Sequence, residues 1–324
     1  ARPWLIILSM MMVVVGVLIL AKVNYGKLRF SKFDKQLYGL TVLDNPYITV
    51  IPYPKQAAAI MYDSQFKLLG GNAFSGKSII GSVIASQWLM YENYRCLILR
   101  RTMEDVTAAG GIVDYLKQYL LDEDRLGDNV CTLNEAKHVF IAPSGAKIYY
   151  DSSNRVGDKE KFRSRSYQTI IWDEASESPK ENLSFIKRSN REWGETPIPL
   201  RVYYISNPSL GSGTKFLLDN FVDDGTPFPY FEMTFQDNPY IDRERYRRTL
   251  ETLDPIDRAF QLYGDWHFVP SEGMIMTQRD FREQEVSPKL FKDKLPAYNI
   301  VGVDLASTGD DKTDRKSTRL NSSH

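Results

Sequence analysis

The stretch Gly71-Asn72-Ala73-Phe74-Ser75-Gly76-Lys77-Ser78 constrains this chain more than any other. It spells a glycine, four intervening residues, then Gly-Lys-Ser, the pattern of a P-loop. Such a loop works between a strand and a helix. Gln65 to Leu69 reads as a short strand before it. Ile79 to Tyr91 is apolar, carries Gly81 but no proline, and reads as a helix after it. The residue types follow from the chemistry. Loop and helix-start N–H groups converge on phosphate oxygens, and glycine lets the main chain curl close to the ligand. In this pattern Lys77 reaches the β- and γ-phosphates and the Ser78 hydroxyl binds Mg²⁺.

The chain has 324 residues, 43% of them hydrophobic, enough for one large α/β domain plus something smaller. Lys+Arg and Asp+Glu number 41 each, so no global basic field draws in nucleic acid. Any such contact rests on a local patch. Cys96 and Cys131 lack metal-ligand spacing, and Cys96 lies in an apolar strand. They read as reduced structural thiols of a cytoplasmic protein. Three histidines argue against a His-rich metal site.

Trp4 to Ala21 is uncharged and almost wholly apolar, at the lower limit of length for a membrane span. Two readings stand side by side: a signal anchor, or a translated upstream reading frame. Residues 22–43 read as a mixed, basic connector. Pro52-Tyr53-Pro54-Lys55-Gln56 precedes the first strand, where a Gln56 amide could read an adenine edge and Tyr53 could pack on the base. Pro-Tyr-Pro is equally a simple turn.

Arg95 to Arg100 reads as a buried parallel strand, and Arg100-Arg101-Thr102 closes its C-terminal end. That arginine pair either faces phosphate or forms a solvated turn paired with Glu104 or Asp105. Met103 to Leu121 is helical in pattern despite Gly110-Gly111. His138 to Ala142 and Ala146 to Tyr150 flank Pro143-Ser144-Gly145 as a hairpin. The basic run Arg155 to Ser166 reads as a loop, either a solvated surface or the carrier of a catalytic arginine.

Gln168-Thr169-Ile170-Ile171-Trp172-Asp173-Glu174 is an apolar strand ending in two acids, a Walker B pattern. Asp173 suits the Mg²⁺ shell, and Glu174 suits the base that orients and deprotonates an attacking water. These acids and Lys77 are expected to converge on one triphosphate–magnesium unit at adjacent strand tips. Leu200 to Ser206 is a further strand, ending in Ser206-Asn207-Pro208, which reads as a turn or a coupling element. Phe216 to Phe221 and Pro239 to Leu253 read as helices, the second salt-bridge-laced.

Taken in order, Pro-Lys-Gln, Gly-Gly-Asn-Ala-Phe-Ser-Gly-Lys-Ser, Leu-Ile-Leu-Arg-Arg-Thr, Ile-Ile-Trp-Asp-Glu-Ala, Ile-Ser-Asn-Pro and Leu-Tyr-Gly-Asp-Trp resemble the large terminase subunit of tailed bacteriophages and related viruses. The resemblance covers residues 47–313. It implies a P-loop NTPase domain of RecA/ASCE-like fold over residues 44–266, with a mostly parallel sheet and helices on both faces. A linker over 267–297 would lead to the first strand of an RNase H-like nuclease domain at 298–313. The implied function is an ATP-hydrolysing motor that packages double-stranded DNA into procapsids. It would act as a homo-oligomeric ring on the portal protein, with a small terminase subunit, in the host cytoplasm and transiently on the procapsid. The other class kept open is a membrane-anchored P-loop NTPase or nucleic-acid translocase.

Carried over by position, Gly71, Asn72, Ala73, Phe74, Ser75, Gly76, Lys77 and Ser78 would bind ATP, with Gln56 reading adenine. Ser78 and Asp173 would hold Mg²⁺, Glu174 would be the catalytic base, and Ser206 and Asn207 the coupling motif. Some members carry an arginine in the P-loop. This chain has Asn72 to Ser75 there, so the stabilising arginine would come from elsewhere: Arg163, with Arg165 and Arg101 behind it. Asp304 would be a nuclease metal ligand, with Asp310 or Asp311 near it; a two-metal site needs further carboxylates. Asp314 to His324 has no apolar period and back-translates to a string resembling a sequencing adapter, so it is expected to be foreign to the gene. The fragment as printed is expected to lack nuclease activity.

Overall fold

The computed structural model describes residues 45–48, 50–192 and 198–268. The chain divides into two units, Ala1–Pro270 and Ser271–His324, and every described residue belongs to the first. The apolar stretch Trp4–Ala21, the proposed nuclease strand with Asp304, Asp310 and Asp311, and the C-terminal tail therefore lie outside the described residues. Among the described residues, no helix is long and apolar enough to cross a membrane.

An eight-stranded sheet organises the described part, in the order β3-β4-β5-β2-β6-β7-β1-β8. The strands are β1 (Phe66–Gly71), β2 (Arg95–Arg100), β3 (Thr132–Asn134), β4 (Val139–Ile141), β5 (Lys147–Ser152), β6 (Thr169–Asp173), β7 (Arg201–Ser206) and β8 (Tyr230–Met233). Strands β5, β2, β6, β7, β1 and β8 pair in parallel; β3, β4 and β5 pair antiparallel. Cys96-Leu97-Ile98-Leu99 and Ile170-Ile171-Trp172 are unbroken apolar runs, as strands covered on both faces require. Alternate residues divide between two cores. Cys96, Ile98 and Ile171 join one, and Leu97, Leu99, Ile170 and Trp172 the other. Helices α1 (Pro54–Met61), α2 (Lys77–Ser86) and α4 (Ile112–Leu120) pack on the first core; α6 (Lys180–Ile186) and α7 (Thr214–Leu217) pack on the second. Each fully buried aliphatic side chain contributes about 1.5–3 kcal/mol.

The helix read over Ile79 to Tyr91 ends at Ser86, and two further details differ from the sequence reading. Met103 to Leu121 is two helices, α3 (Met103–Val106) and α4, because Gly110 takes φ +76° and interrupts the run. A further short helix, α5 (Glu123–Leu126), follows. Second, β1 and β6 are not neighbours: β7 lies between them and pairs with both. The tips that carry the P-loop and the acid pair are thus one strand apart.

Lys67, fully buried on β1, ties α1 to the sheet. Its Nζ donates to the carbonyls of Ala59 and Ile60, 2.9 Å each, and lies 5.1 Å from the Tyr203 ring centroid. A cation there meets the negative end of the helix dipole. The last helices among the described residues are α8 (Arg243–Glu251), capped by Asp242, and α9 (Pro255–Gln261), capped by Asp254 with proline at its first position.

Candidate functional site

Because β1, β2, β6 and β7 are parallel, Gly71, Arg100, Asp173 and Ser206 all lie at the carboxyl end of the sheet, where open α/β sheets bind ligands. The P-loop connects β1 to α2. Gly71 takes φ +126°, and a Cβ there would lie 2.2 Å from the Met233 carbonyl oxygen, so no other residue fits. Phe74 is held at φ +58° and its ring packs, tilted by 36°, against Tyr246 of α8, centroids 4.1 Å apart.

The loop is clamped from several sides. Asn72 Nδ2 donates to the Leu262 carbonyl at 2.9 Å, and its Oδ1 accepts from the Phe235 N–H at 2.8 Å. The Ala73 N–H donates to the Gln261 carbonyl at 2.9 Å. Asn238 Nδ2 donates to the Phe74 carbonyl at 2.9 Å. The Tyr53 hydroxyl donates to the Ser75 carbonyl at 2.8 Å, and Gln56 Nε2 to the Gly76 carbonyl at 3.2 Å. Gln56 Oε1 accepts from the Tyr53 N–H. Both residues singled out for the base are therefore buried supports of the loop here. Asn238 and Tyr53 as supports are not apparent from spacing alone, since their partners are backbone atoms far along the chain.

Lys77 Nζ donates to the Asn72 carbonyl at 2.5 Å and to Ser75 Oγ at 2.7 Å. Burial pushes its ammonium down to about 8, while the charges of Glu174 and Asp173 pull it up. Lys77 and the acid pair thus share one electrostatic neighbourhood across the tip of β7.

Asp173 ends β6, buried. Burial, then the neighbouring Glu174 charge, push its carboxyl above the usual range; Arg100 and Lys77 oppose this. Glu174 follows in a left-handed conformation, φ +50°. Arg100 reaches both acids: Nη1 lies 3.7 Å from Asp173 Oδ2, and Nη2 3.6 Å from Glu174 Oε1. Arg101 instead pairs with Glu177 and Asp105 at the surface. The two arginines thus part company, one to the acids and one to the solvated turn.

Ser206 Oγ accepts from the Ser176 N–H at 3.0 Å and lies 2.9 Å from Ser176 Oγ, joining the tip of β7 to the turn after the acids. Asn207 Oδ1 is buried without a partner among the described residues. Arg163 is not brought to this cluster: its side chain is 67% exposed and paired with Glu160 at 2.9 Å.

Ser78 and Asp173 supply oxygen donors, which suit a hard divalent cation. No group of three or more His, Cys, Asp or Glu side chains able to hold a metal occurs among the described residues. The donor set fits Mg²⁺ that completes its shell with phosphate oxygens and water.

A family profile described as "Terminase large subunit, T4likevirus-type, N-terminal" matches residues 68–282. Among solved structures, the large terminase of a thermophilic bacteriophage is similar at 14% identity, TM-score 0.50, covering 72% of this chain and 53% of that one. The same terminase solved in complex with ADP matches with 14% identity and TM-score 0.48 over 72% and 53% of the two chains. The ATPase domain of a Thermus phage large terminase matches with 18% identity and TM-score 0.48 over 74% and 98%. The likeness to the first of these, at 14% identity, bears on fold alone. The chain spans about half the length of the first of these relatives, 53%. No curated protein sequence matches the chain.

Proposed function

The chain belongs to the terminase large subunit family, T4likevirus-type, through its N-terminal region, and from that premise we propose that it hydrolyses ATP to drive double-stranded DNA into a procapsid. The observation that carries the reading is the cluster at the sheet's carboxyl end. Lys77 of the P-loop lies within the fields of Asp173 and Glu174, with Arg100 on the far side of those acids.

In this reading the Lys77 ammonium exchanges its two loop acceptors for phosphate oxygens. Ser78 and Asp173 would hold Mg²⁺, and the ion would supply charge neutralisation at the phosphates when bound. Glu174 takes a proton from a water whose oxygen forms the new bond to the γ-phosphorus. The bond from that phosphorus to the β–γ bridging oxygen breaks, leaving ADP and phosphate. Tyr53, Gln56, Asn72 and Asn238 keep the loop preformed, so little order is lost at the moment of reaction. Gln56 retains one amide hydrogen for an adenine edge. Ser206 and Asn207 pass a change at the acid pair along β7, a role supported by the contacts of Ser206 with Ser176. Arg163, exposed, serves the site of a neighbouring subunit.

Residues 44–266 then form the motor body, and 267–297 the linker to a metal-dependent nuclease beginning at 298, with Asp304 its first ligand. The working assembly is a ring on the portal, loaded with DNA by a small subunit, in the host cytoplasm. The test is ATP turnover by the purified full chain. The wild type should hydrolyse ATP with Mg²⁺, and Lys77→Ala should fall to background. Undiminished turnover in Lys77→Ala would remove the P-loop from the mechanism.

A further inference from the structure

We propose that the surface built by residues 155–166 and 180–192 is the track that holds the phosphate backbone of duplex DNA. The inference rests on the reading of the chain as a DNA-packaging motor, and it names where on the chain the DNA lies. Lys+Arg and Asp+Glu balance over the whole chain at 41 each, yet these two segments carry nine Lys or Arg against four Asp or Glu. A local excess of this kind on a neutral protein draws a polyanion to one place.

The two segments form one body. Val156–Phe162 is a 3-10 turn that packs on α6. Asn182 of α6, fully buried, donates from Nδ2 to Ser153 Oγ and to the Arg155 carbonyl, 2.8 Å each. Further along, Ser189 Oγ donates to the Phe162 carbonyl at 2.9 Å, and the Tyr167 N–H to the Ser189 carbonyl at 2.9 Å. The acids of the loop are engaged within it. Asp158 accepts from the Asn154 and Arg155 N–H groups and pairs with Lys161 at 3.2 Å, while Glu160 pairs with Arg163. Lys159, Arg165, Arg188 and Arg191 form no ion pair among the described residues.

These four heads are oriented without being neutralised. Lys159 Nζ and the Arg188 guanidinium lie over the half-buried Phe185 ring, 5.7 and 5.5 Å from its centroid. Arg165 lies over Phe162 at 5.8 Å, and Arg191 donates from Nη2 to the Arg165 carbonyl at 3.0 Å. Uncharged rings and a carbonyl leave the positive charge for an anion from outside. A row of such cations suits the duplex, which carries one charge per about 1.7 Å of axis. Phosphate contacts carry no sequence information, as a motor that moves any sequence requires. Single strands fit less well: they bind by stacking bases on bare aromatic rings, and the Phe185 ring lies under two cations.

The experiment titrates the full chain, without nucleotide, against fluorescein-labelled duplexes of two unrelated sequences and reads anisotropy from about 50 to 200 mM salt. Lys159→Gln/Arg188→Gln/Arg191→Gln should bind both duplexes at least about tenfold more weakly, and its salt slope should fall by about 3. Lys159→Arg/Arg188→Lys, which keeps the charges, should stay within about 1 of the wild-type slope. Arg188→Gln alone should lower the slope by about 1, and it decides the matter if the melting temperature shows the triple variant unfolded. Unchanged affinity and slope overturn the inference, as does a loss confined to one duplex or an equal loss in the charge-preserving variant. Wild-type duplex binding by the triple variant together with a smaller sedimenting particle assigns the surface to a neighbouring copy, and overturns it too. A wild type that binds no duplex removes the DNA reading as well. Duplex binding that survives in the variants removes this inference alone, and ATP turnover in Lys77→Ala is judged apart from both.

Discussion

Asn72 sits inside the P-loop, yet both ends of its amide are engaged by backbone groups far along the chain, at Phe235 and Leu262. Removing it leaves a buried N–H and a buried carbonyl unpaired, at about 1–3 kcal/mol each. Asn72→Ala should therefore lower the urea midpoint by an amount matching about 2–6 kcal/mol, with the slope unchanged. An unchanged midpoint would show that the clamp contributes nothing. At this scale the sequence was informative where chemistry dictates spacing: Lys77, Ser78, Asp173 and Glu174 are legible because a phosphate loop and an acid pair must follow particular strands. It was less informative for Arg100. A charged residue at a strand end does not say which carboxylate across the sheet it meets, and the nearer candidates, Glu104 and Asp105, were the obvious partners. Arg101 took Asp105, while Arg100 took Asp173 and Glu174 at the end of β6. Gln56 shows the same limit, because an amide suited to a base edge is equally suited to the Gly76 carbonyl.

Among elements, the apolar parallel strands were legible from composition alone, since a run such as Arg95 to Arg100 can only be covered on both faces. The order of the strands was not. Nothing local in Arg201–Ser206 says that it inserts between β1 and β6. Short edge strands such as β3 and β8 carry too few residues for a period to show. Lys67 is an element-scale device, joining α1 to β1 by two carbonyl contacts. Burial holds its ammonium well below the ordinary 10.5; Arg201 adds to that shift and Asp63 opposes it. Tyr203, beside it, is pushed up to about 12 and does not ionise in the same range. The unfolded chain keeps the Lys67 proton up to 10.5 and the folded chain releases it earlier, so this group makes stability rise with pH through that window. Lys67→Met removes the slope. Urea unfolding from about pH 7 to about pH 10 should show the wild type gaining on the variant as pH rises; a constant difference would contradict it.

For the whole molecule, the ring proposed above predicts that no subunit is complete alone. Among the described residues the exposed Arg163 forms its ion pair with Glu160, whereas Glu174 acts on the P-loop lysine of its own chain. Mixing Arg163→Ala chains with Glu174→Gln chains should then restore turnover that neither gives alone, by up to about a quarter of wild type for random pairing at equal amounts. No recovery at any ratio would move the finger elsewhere. The P-loop's supports have a consequence of another kind. Residues 71–78 leave the ribosome early, but the carbonyls that receive Ala73 and Asn72 belong to Gln261 and Leu262, and a Cβ on Gly264 would stand 3.1 Å from the Gly71 carbonyl carbon. A growing chain cannot own a finished nucleotide cradle until those later residues have been made. If the loop binds nucleotide as proposed, arrested products ending before Gln261 should fail to retain it.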